Sequence, residues 1–189
     1  MATRVARPRL SFLRLRKVPI QEQLRIEEAI FRVDKQRNWF IFNEESAPTT
    51  IVMGISGKPE KLLHLDAVKR SGIPVLKRFS GGGTVIVDPS TSISKDKWLH
   101  HTSFLWDFDP RNMEYLTNPE RQPAYREKRS HTEFLCTLKD VLTVETRTDL
   151  AMEFRLELDK HFEVEEVTVE SIASIVDSDH RRSTRFLDL

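Results

Sequence analysis

The sequence predicts one domain in which β-strands and α-helices alternate, of the α/β or α+β class. Two observations lead to this prediction. Apolar runs of strand length recur between stretches of helical periodicity, and no internal repeat or low-complexity tract interrupts the 189 residues. A chain of this length holds one domain, at most with a small appendage, and buries enough surface to need no disulfide.

The first half of the chain contains the clearest elements. Leu13 and Leu15 alternate with arginines and predict a strand. A helix of about three to four turns is expected from Ile20, because apolar residues recur there at helical spacing. Further strands are expected at 39–43, 51–55, 75–78 and 85–88, with a helix near 62–68. Residues 85–93 can close as a hairpin.

The second half predicts fewer and less regular elements. Residues 98–106 resemble a strand, and a short helix is expected near Met113 to Leu116. Helices are predicted at 131–142 and 148–161, followed by a strand at 162–169. Cys136 lies on the apolar side of the first of these helices, which favours a core position. Residues 177–189 are polar and basic and are expected to form a flexible tail.

The composition excludes several classes of protein. Thirty Lys and Arg residues balance 29 Asp and Glu residues, so no global field attracts nucleic acid or an anionic membrane. No apolar run approaches the roughly 18 residues of a membrane span. The single cysteine excludes a disulfide framework and a multi-cysteine zinc site. The expected protein is soluble and intracellular, without nucleic-acid or membrane partners.

The N-terminus is basic, with six Arg and Lys residues and no acid before Glu22. This pattern is typical of a mitochondrial or other organellar transit peptide. The alternation of Leu13 and Leu15 with arginines favours instead a short basic arm that leads into a strand, which leaves a cytoplasmic location open. The arm is assigned to residues 1–11.

The most unusual local feature is the run from Arg78 to Thr84, because it holds three of the six glycines in the chain consecutively. Glycines between apolar strands lose backbone entropy and contribute no packing, so their presence needs a reason. Their backbone N–H groups can approach a phosphate closely, and Lys77 and Arg78 supply positive charge. A sharp hairpin turn explains the glycines equally well. The run is neither a Walker loop nor a dinucleotide fingerprint, and Gly57-Lys58 also fails the Walker pattern.

Other candidate sites have ordinary explanations. His100 and His101 are adjacent on a predicted strand and point to opposite faces, so they cannot bind one metal ion together. Glu27 and Glu28 could be catalytic, and a solvated helix face explains them as well. The basic stretch 121–129 contains interspersed acids, which favours a salt-bridged surface over nucleic-acid binding. No metal site is predicted.

The segment from Lys77 to Asp88 resembles the Arg-Arg-x-Ser-Gly-Gly-Gly-x-Val-x-x-Asp motif of lipoate–protein ligases, within the biotin/lipoate protein ligase and octanoyltransferase superfamily. The helix ending at 27–32, the strand at 51–54 and the segment 95–102 resemble neighbouring elements of that fold. The resemblance implies an α+β catalytic domain over residues 12–176, with a central mixed or antiparallel sheet packed with helices.

The resemblance also implies an activity. In such enzymes ATP, with Mg, adenylates the carboxylate of lipoate or octanoate, and the acyl group passes to a lysine of a lipoyl-domain acceptor. Acceptors of the ketoacid dehydrogenase E2 type or the glycine cleavage H protein type are expected. The residues expected by position to hold the acyl-adenylate are Arg78, Ser80, Gly81, Gly82, Gly83, Thr84, Val85 and Ile86.

One departure from the family pattern is large. The family carries a lysine in a Lys-x-Gly-Gly loop, and here Asp88 is followed directly by a polar stretch that resumes the family pattern near Ser92. The chain therefore resembles a member that lacks an internal segment, and Lys95 and Lys97 lie beyond the position of that loop. Acyl transfer is therefore expected to be impaired, and no residue of the chain is assigned as the catalytic residue. A non-catalytic form that binds an acceptor or partner protein and a biotin–protein ligase-like activity are the alternatives.

Overall fold

The computed structural model describes residues 6–45, 47–87, 91–94, 102–107, 109–117, 124, 127 and 129–189. Within these residues, none of the helices combines the length and the hydropathy needed to cross a bilayer.

The chain alternates nine strands and seven α-helices among the described residues. The strands are β1 (Arg9–Leu15), β2 (Asn38–Asn43), β3 (Thr50–Met53), β4 (Val75–Lys77), β5 (Val85–Val87), β6 (Thr91–Ser94), β7 (Thr102–Phe104), β8 (Glu163–Val167) and β9 (Arg185–Phe186). The helices are α1 (Ile20–Val33), α2 (Pro59–Leu62), α3 (Leu65–Ser71), α4 (His131–Phe134), α5 (Leu138–Val141), α6 (Arg147–His161) and α7 (Ala173–Val176). Residues 110–115 form a 3₁₀ helix.

The strands form two mixed sheets. The larger sheet has the order β7-β6-β2-β1-β8, in which β1 is parallel to both β2 and β8. The smaller sheet has the order β5-β3-β4-β9, in which β3 is parallel to β4, and the two outer strands β5 and β9 run antiparallel to their neighbours. This arrangement confirms the α+β fold class.

Helix α1 packs against both sheets. Ile26 and Ile30 pack on the larger sheet beside Leu13 and Ile41. Ile20 and Leu24, one to two turns earlier, join a cluster of apolar residues from the smaller sheet. The opposite face of the larger sheet is covered by α6. Helix α1 therefore carries side chains into the region where the two sheets meet.

Several expected elements are found with small changes in their bounds, including α1, α6 and β8. The predicted hairpin over 85–93 is wrong. Strand β5 pairs with β3 in the smaller sheet, whereas β6 pairs with β2 and β7 in the larger one. Strands β5 and β6 therefore belong to different sheets.

The predicted helix over 131–142 is interrupted. Residues 135–137 separate α4 from α5, and each short helix begins at its own capping box, formed by Ser130 with Glu133 and by Thr137 with Asp140. Cys136 lies in this break and is exposed, so the expectation of a core cysteine is wrong.

Both ends of the chain depart from expectation. Strand β1 begins at Arg9, within the predicted N-terminal arm 1–11. The predicted flexible tail over 177–189 contains β9, in which Leu76 pairs with Phe186 and Lys77 with Arg185. Ser183 is buried. These residues therefore belong to the folded part of the chain.

A glycine-loop cleft as the candidate functional site

Residues 80–84, here called the glycine loop, lead from the end of β4 into β5. Two backbone hydrogen bonds join the start of this loop to the end of β3. The N–H of Arg78 donates to the carbonyl of Met53 at 2.9 Å, and the N–H of Ile55 donates to the carbonyl of Ser80 at 2.9 Å. The loop thus begins as a continuation of the pairing between β3 and β4.

The guanidinium of Arg78 lies beneath this loop and holds its shape. Nε and Nη2 donate to the carbonyl of Gly81 at 3.1 and 2.9 Å, and Nη2 also donates to the carbonyl of Gly83 at 2.9 Å. The planar fork of arginine suits two converging acceptors, whereas the ammonium of lysine does not provide this geometry. Arg78 therefore fixes the orientation of two peptide groups in the loop.

The orientation of these carbonyls determines where the adjacent N–H groups point. In a trans peptide the C=O and the following N–H point in opposite directions. Since the carbonyls of Gly81 and Gly83 face Arg78, the N–H groups of Gly82 and Thr84 are directed away from the guanidinium. The loop is consequently arranged to present donors on its outer side, which is the polarity needed to bind an anion.

Two glycines are required by this geometry. Gly82 has φ +102°, and a Cβ at that position would lie 2.6 Å from Nη2 of Arg78. A Cβ on Gly54, just after β3, would lie 2.2 Å from the carbonyl oxygen of Gly82. The loop and the end of β3 are therefore in backbone contact, and neither position has room for a side chain.

The carboxylate of Glu27 on α1 interacts electrostatically with Arg78. Glu27 is 1% exposed and Arg78 is 8% exposed. Burial lowers the pKa of Arg78, and the charge of Glu27 offsets part of that lowering. Gln23 donates to Glu27 at 2.8 Å, and Asn43 donates to Gln23 at 3.0 Å. A buried polar network thus connects the glycine loop to α1 and β2, and the expectation that Glu27 and Glu28 lie on a solvated face is wrong.

The outer side of the glycine loop faces a cleft of about 570 Å³. Gly82, Gly83 and Thr84 form one wall. The segment after β3 contributes Lys58 and Lys61, and Leu62 and Leu116 are the apolar lining residues. The 3₁₀ segment reaches this place because residues 63 and 116 form a β-bridge. The cleft therefore combines peptide donors, cationic side chains and an apolar surface.

The candidate site residues from the sequence differ in whether they line this cleft. Gly82, Gly83 and Thr84 line the cleft, and the Oγ1 atom of Thr84 is buried without a hydrogen-bond partner in the structure. Arg78 lies beneath the loop. Ser80, Gly81 and Val85 adjoin these positions in the chain without lining the cleft, and Ile86 is buried in an apolar cluster with Ile51 and Val75. Lys95, Lys97, His100 and His101 lie outside the described residues.

Sequence reasoning raised Glu27 only as a possible catalytic residue and missed Lys58 and Lys61 as members of this site. The signal for Lys58 is Gly57-Lys58-Pro59 directly after a strand, a sequence that does not fit the Walker pattern. Among the described residues, no group of three or more His, Cys, Asp or Glu side chains is placed to hold a metal ion.

Comparison with known proteins identifies the segment that carries this loop. Residues 19–93 match the family model of the lipoyl protein ligase A/B catalytic domain. The match covers 75 of the 189 residues and includes α1, the glycine loop and β5. A curated relative, the inactive lipoate–protein ligase 2 of Plasmodium falciparum, is 36% identical over 66 residues. That match spans 34% of this chain and only 15% of the relative.

Three solved structures share the fold of this chain. A lipoate–protein ligase A bound with ATP superposes with a TM-score of 0.63 at 16% identity, covering 90% of this chain and 92% of that one. The bipartite lipoate–protein ligase of Thermoplasma acidophilum gives 0.59 at 15% identity, covering 90% and 91%. The lipoate complex of P. falciparum LipL1 gives 0.58 at 13% identity, covering 88% and 67%. At these identities the likeness establishes the fold.

Proposed function

We propose that this chain binds a lipoyl- or octanoyl-adenylate in the glycine-loop cleft and that its transfer of the acyl group to acceptor lysines is impaired. The observation that carries the proposal is the glycine loop itself, whose carbonyls at Gly81 and Gly83 are held by Arg78. The N–H groups of Gly82 and Thr84 are therefore available to donate hydrogen bonds to an oxyanion. Fixed peptide donors of this kind stabilise charge without reorganisation.

The lining of the cleft suits such a ligand. Leu62 and Leu116 offer apolar surface for an acyl chain, and Lys58 and Lys61 offer positive charge for a phosphate. ATP would supply the adenylyl group that activates the carboxylate, and the residues of this chain would hold the product. The described lining contains no carboxylate that could bind Mg, so we propose no metal held by the protein alone.

Impaired transfer is proposed because the Lys-x-Gly-Gly loop of the family is not found between Asp88 and Lys95. The name of the P. falciparum relative, an inactive ligase, is consistent with this reading. A structure from the T. acidophilum system includes a ligase and its E2 lipoyl domain. We therefore propose lipoyl domains as the acceptors, of the E2 type or the glycine cleavage H protein type.

Two measurements test this function separately. Isothermal titration with octanoyl-sulfamoyl-adenosine, a nonhydrolysable mimic, should give saturable binding that Gly82→Ala abolishes. Intact mass of an apo lipoyl domain incubated with the chain, ATP, Mg and lipoate should show little or no lipoyl increment. Absence of binding in a folded sample would overturn the proposal. Efficient lipoylation would overturn the impairment while retaining the ligand.

A non-catalytic role in binding the acceptor is the second candidate, and the same inactive relative favours it. Titration of the chain with an apo lipoyl domain should then show binding that does not depend on ATP. A biotin-specific site would instead bind biotinyl-sulfamoyl-adenosine in preference to the octanoyl compound.

A further inference from the structure

We propose that Lys58 and Lys61 form a second anion-binding wall in the cleft and bind the oxyanion of its ligand together with the glycine loop. This inference rests on the proposed function and adds to it a pair of specificity-determining residues. The chemistry they recognise is a phosphate or carboxylate attached to a short aliphatic group.

The first observation is the position of the two side chains. Both line the same cleft as Gly82, Gly83 and Thr84. Lys58 immediately precedes α2, and the N–H of Lys61 donates to the carbonyl of Lys58 at 3.0 Å, so one tight turn joins them. An anion between this turn and the glycine loop could meet ammonium groups and peptide N–H groups together.

The second observation is that these charges are uncompensated. Arg32, Arg37 and Arg111 each lie within 3 Å of a carboxylate. Among the described residues, neither Lys58 nor Lys61 has such a partner, and no carboxylate lines the cleft. Two like charges one turn apart repel each other. A bound oxyanion would replace this repulsion with attraction.

The third observation is the chemical character of the remaining lining. Leu62 and Leu116 belong to the lining and also contact the apolar core beneath it. The buried Oγ1 of Thr84 has no hydrogen-bond partner in the structure. A site with positive charge, unused polar capacity and an apolar surface fits an amphipathic anion better than a neutral lipid or a bare inorganic ion.

The test compares three proteins that should all fold. The double variant Lys58→Gln/Lys61→Gln removes both charges, and Lys58→Arg/Lys61→Arg retains them. Lys69→Gln is the matched control, because Lys69 is an exposed lysine on α3 that does not line the cleft. Thermal unfolding should give similar midpoints for all three and for the unsubstituted chain.

The ligands are octanoyl-sulfamoyl-adenosine, AMP, octanoate and inorganic phosphate. The double Gln variant should bind the adenylate mimic at least about tenfold more weakly, since charge-assisted hydrogen bonds are lost. The Arg variant and Lys69→Gln should stay near the original affinity. Weakening confined to AMP would assign the lysines to phosphate, and weakening confined to octanoate would assign them to carboxylate.

The outcomes for the two proposals can be distinguished. Equal binding of the mimic by the original chain and the double Gln variant would overturn the lysine wall and leave the proposed function standing. A second outcome is that the mimic fails to bind, while inorganic phosphate shifts the Gly57 and Gly83 amide resonances saturably in the original chain and not in the double Gln variant. This outcome would overturn the proposed function and retain the anion site. If neither the mimic nor inorganic phosphate binds, both the proposed function and the lysine wall are overturned.

Discussion

Glu27 and Arg78 form a buried pair of opposite charges at the junction between α1 and the glycine loop. Removal of either partner leaves the other charge uncompensated in the interior, which typically costs about 3–5 kcal/mol. Glu27→Gln and Arg78→Met should each lower the free energy of unfolding by about 3 kcal/mol, and the double variant should lose less than the sum. Urea denaturation of the four proteins measures the coupling.

The exposed pair Glu157 and Lys160 on α6 provides the control for this cycle. Its side chains are 59% and 67% exposed, so no measurable coupling is expected there. Additive losses at Glu27 and Arg78, like those at the exposed pair, would contradict the inference that the buried charges stabilise each other.

Gly82 should not tolerate alanine, because its φ of +102° disfavours any L side chain and the new Cβ would displace Nη2 of Arg78. We expect Gly82→Ala to lower the free energy of unfolding by about 1–3 kcal/mol and to remove binding of the adenylate mimic. Gly81→Ala is the matched control, since a Cβ there meets nothing within 4 Å. Similar stability of the two variants in urea would refute the assigned loop geometry.

Gly54→Ala should be more damaging than either loop substitution. Its Cβ would lie 2.2 Å from a backbone oxygen of Gly82, so β3 and the glycine loop must move apart. The expected loss is about 3 kcal/mol, accompanied by weaker binding of the mimic, and thermal unfolding with titration measures both. An unchanged melting temperature would show that the two backbones are farther apart than described.

The sequence predicts most regular elements of this fold because their signals are local. Helix α1 follows from the periodicity after Ile20, and the glycine loop follows from its composition. The burial of Glu27 and Glu28 could not be predicted in this way. Their partners are distant along the chain, at Arg78 and at residues 183–184, so only the tertiary fold shows that these carboxylates are compensated rather than solvated.

The missed features share this cause. Strand β9 has two residues and no alternation to recognise, and it exists because the edge of β4 is available for pairing. Helical spacing predicts a core position for Cys136, but the helix is interrupted at that residue. Lys58 and Lys61 are recognised as binding-site residues only from the tertiary fold, which places the glycine loop across the cleft from them.

Glu28 predicts a pH dependence of stability. Burial raises the pKa of this carboxyl, but N–H groups of Thr184 and Ser183 and the guanidinium of Arg32 more than offset it, so the net pKa is lowered. A carboxyl with a lowered pKa in the folded state stabilises the protein above the unfolded pKa, near 4.5, and loses that contribution as the pH falls toward the folded value.

Urea denaturation between pH 3 and pH 7 tests this dependence. Glu28→Gln should be less stable at pH 7 by about 2 kcal/mol, because charge-assisted hydrogen bonds are lost, and the difference should shrink below pH 4.5. Glu163→Gln, at an exposed carboxylate on β8, serves as the control and should show no such convergence. A difference that stays constant with pH would contradict the role assigned to Glu28.

The C-terminal strand should stabilise the glycine loop through β4. Strand β9 pairs with Leu76 and Lys77, directly before Arg78, and the N–H of Leu187 donates to Val75 at 2.8 Å. Deletion of residues 183–189 removes this pairing and also the N–H groups of Ser183 and Thr184 that donate to Glu28. We therefore expect a lower melting temperature and weaker binding of the adenylate mimic. Deletion of residues 188–189 alone retains the pairing and should leave both properties unchanged. Full affinity in the longer deletion would show that β4 positions Arg78 without help from β9.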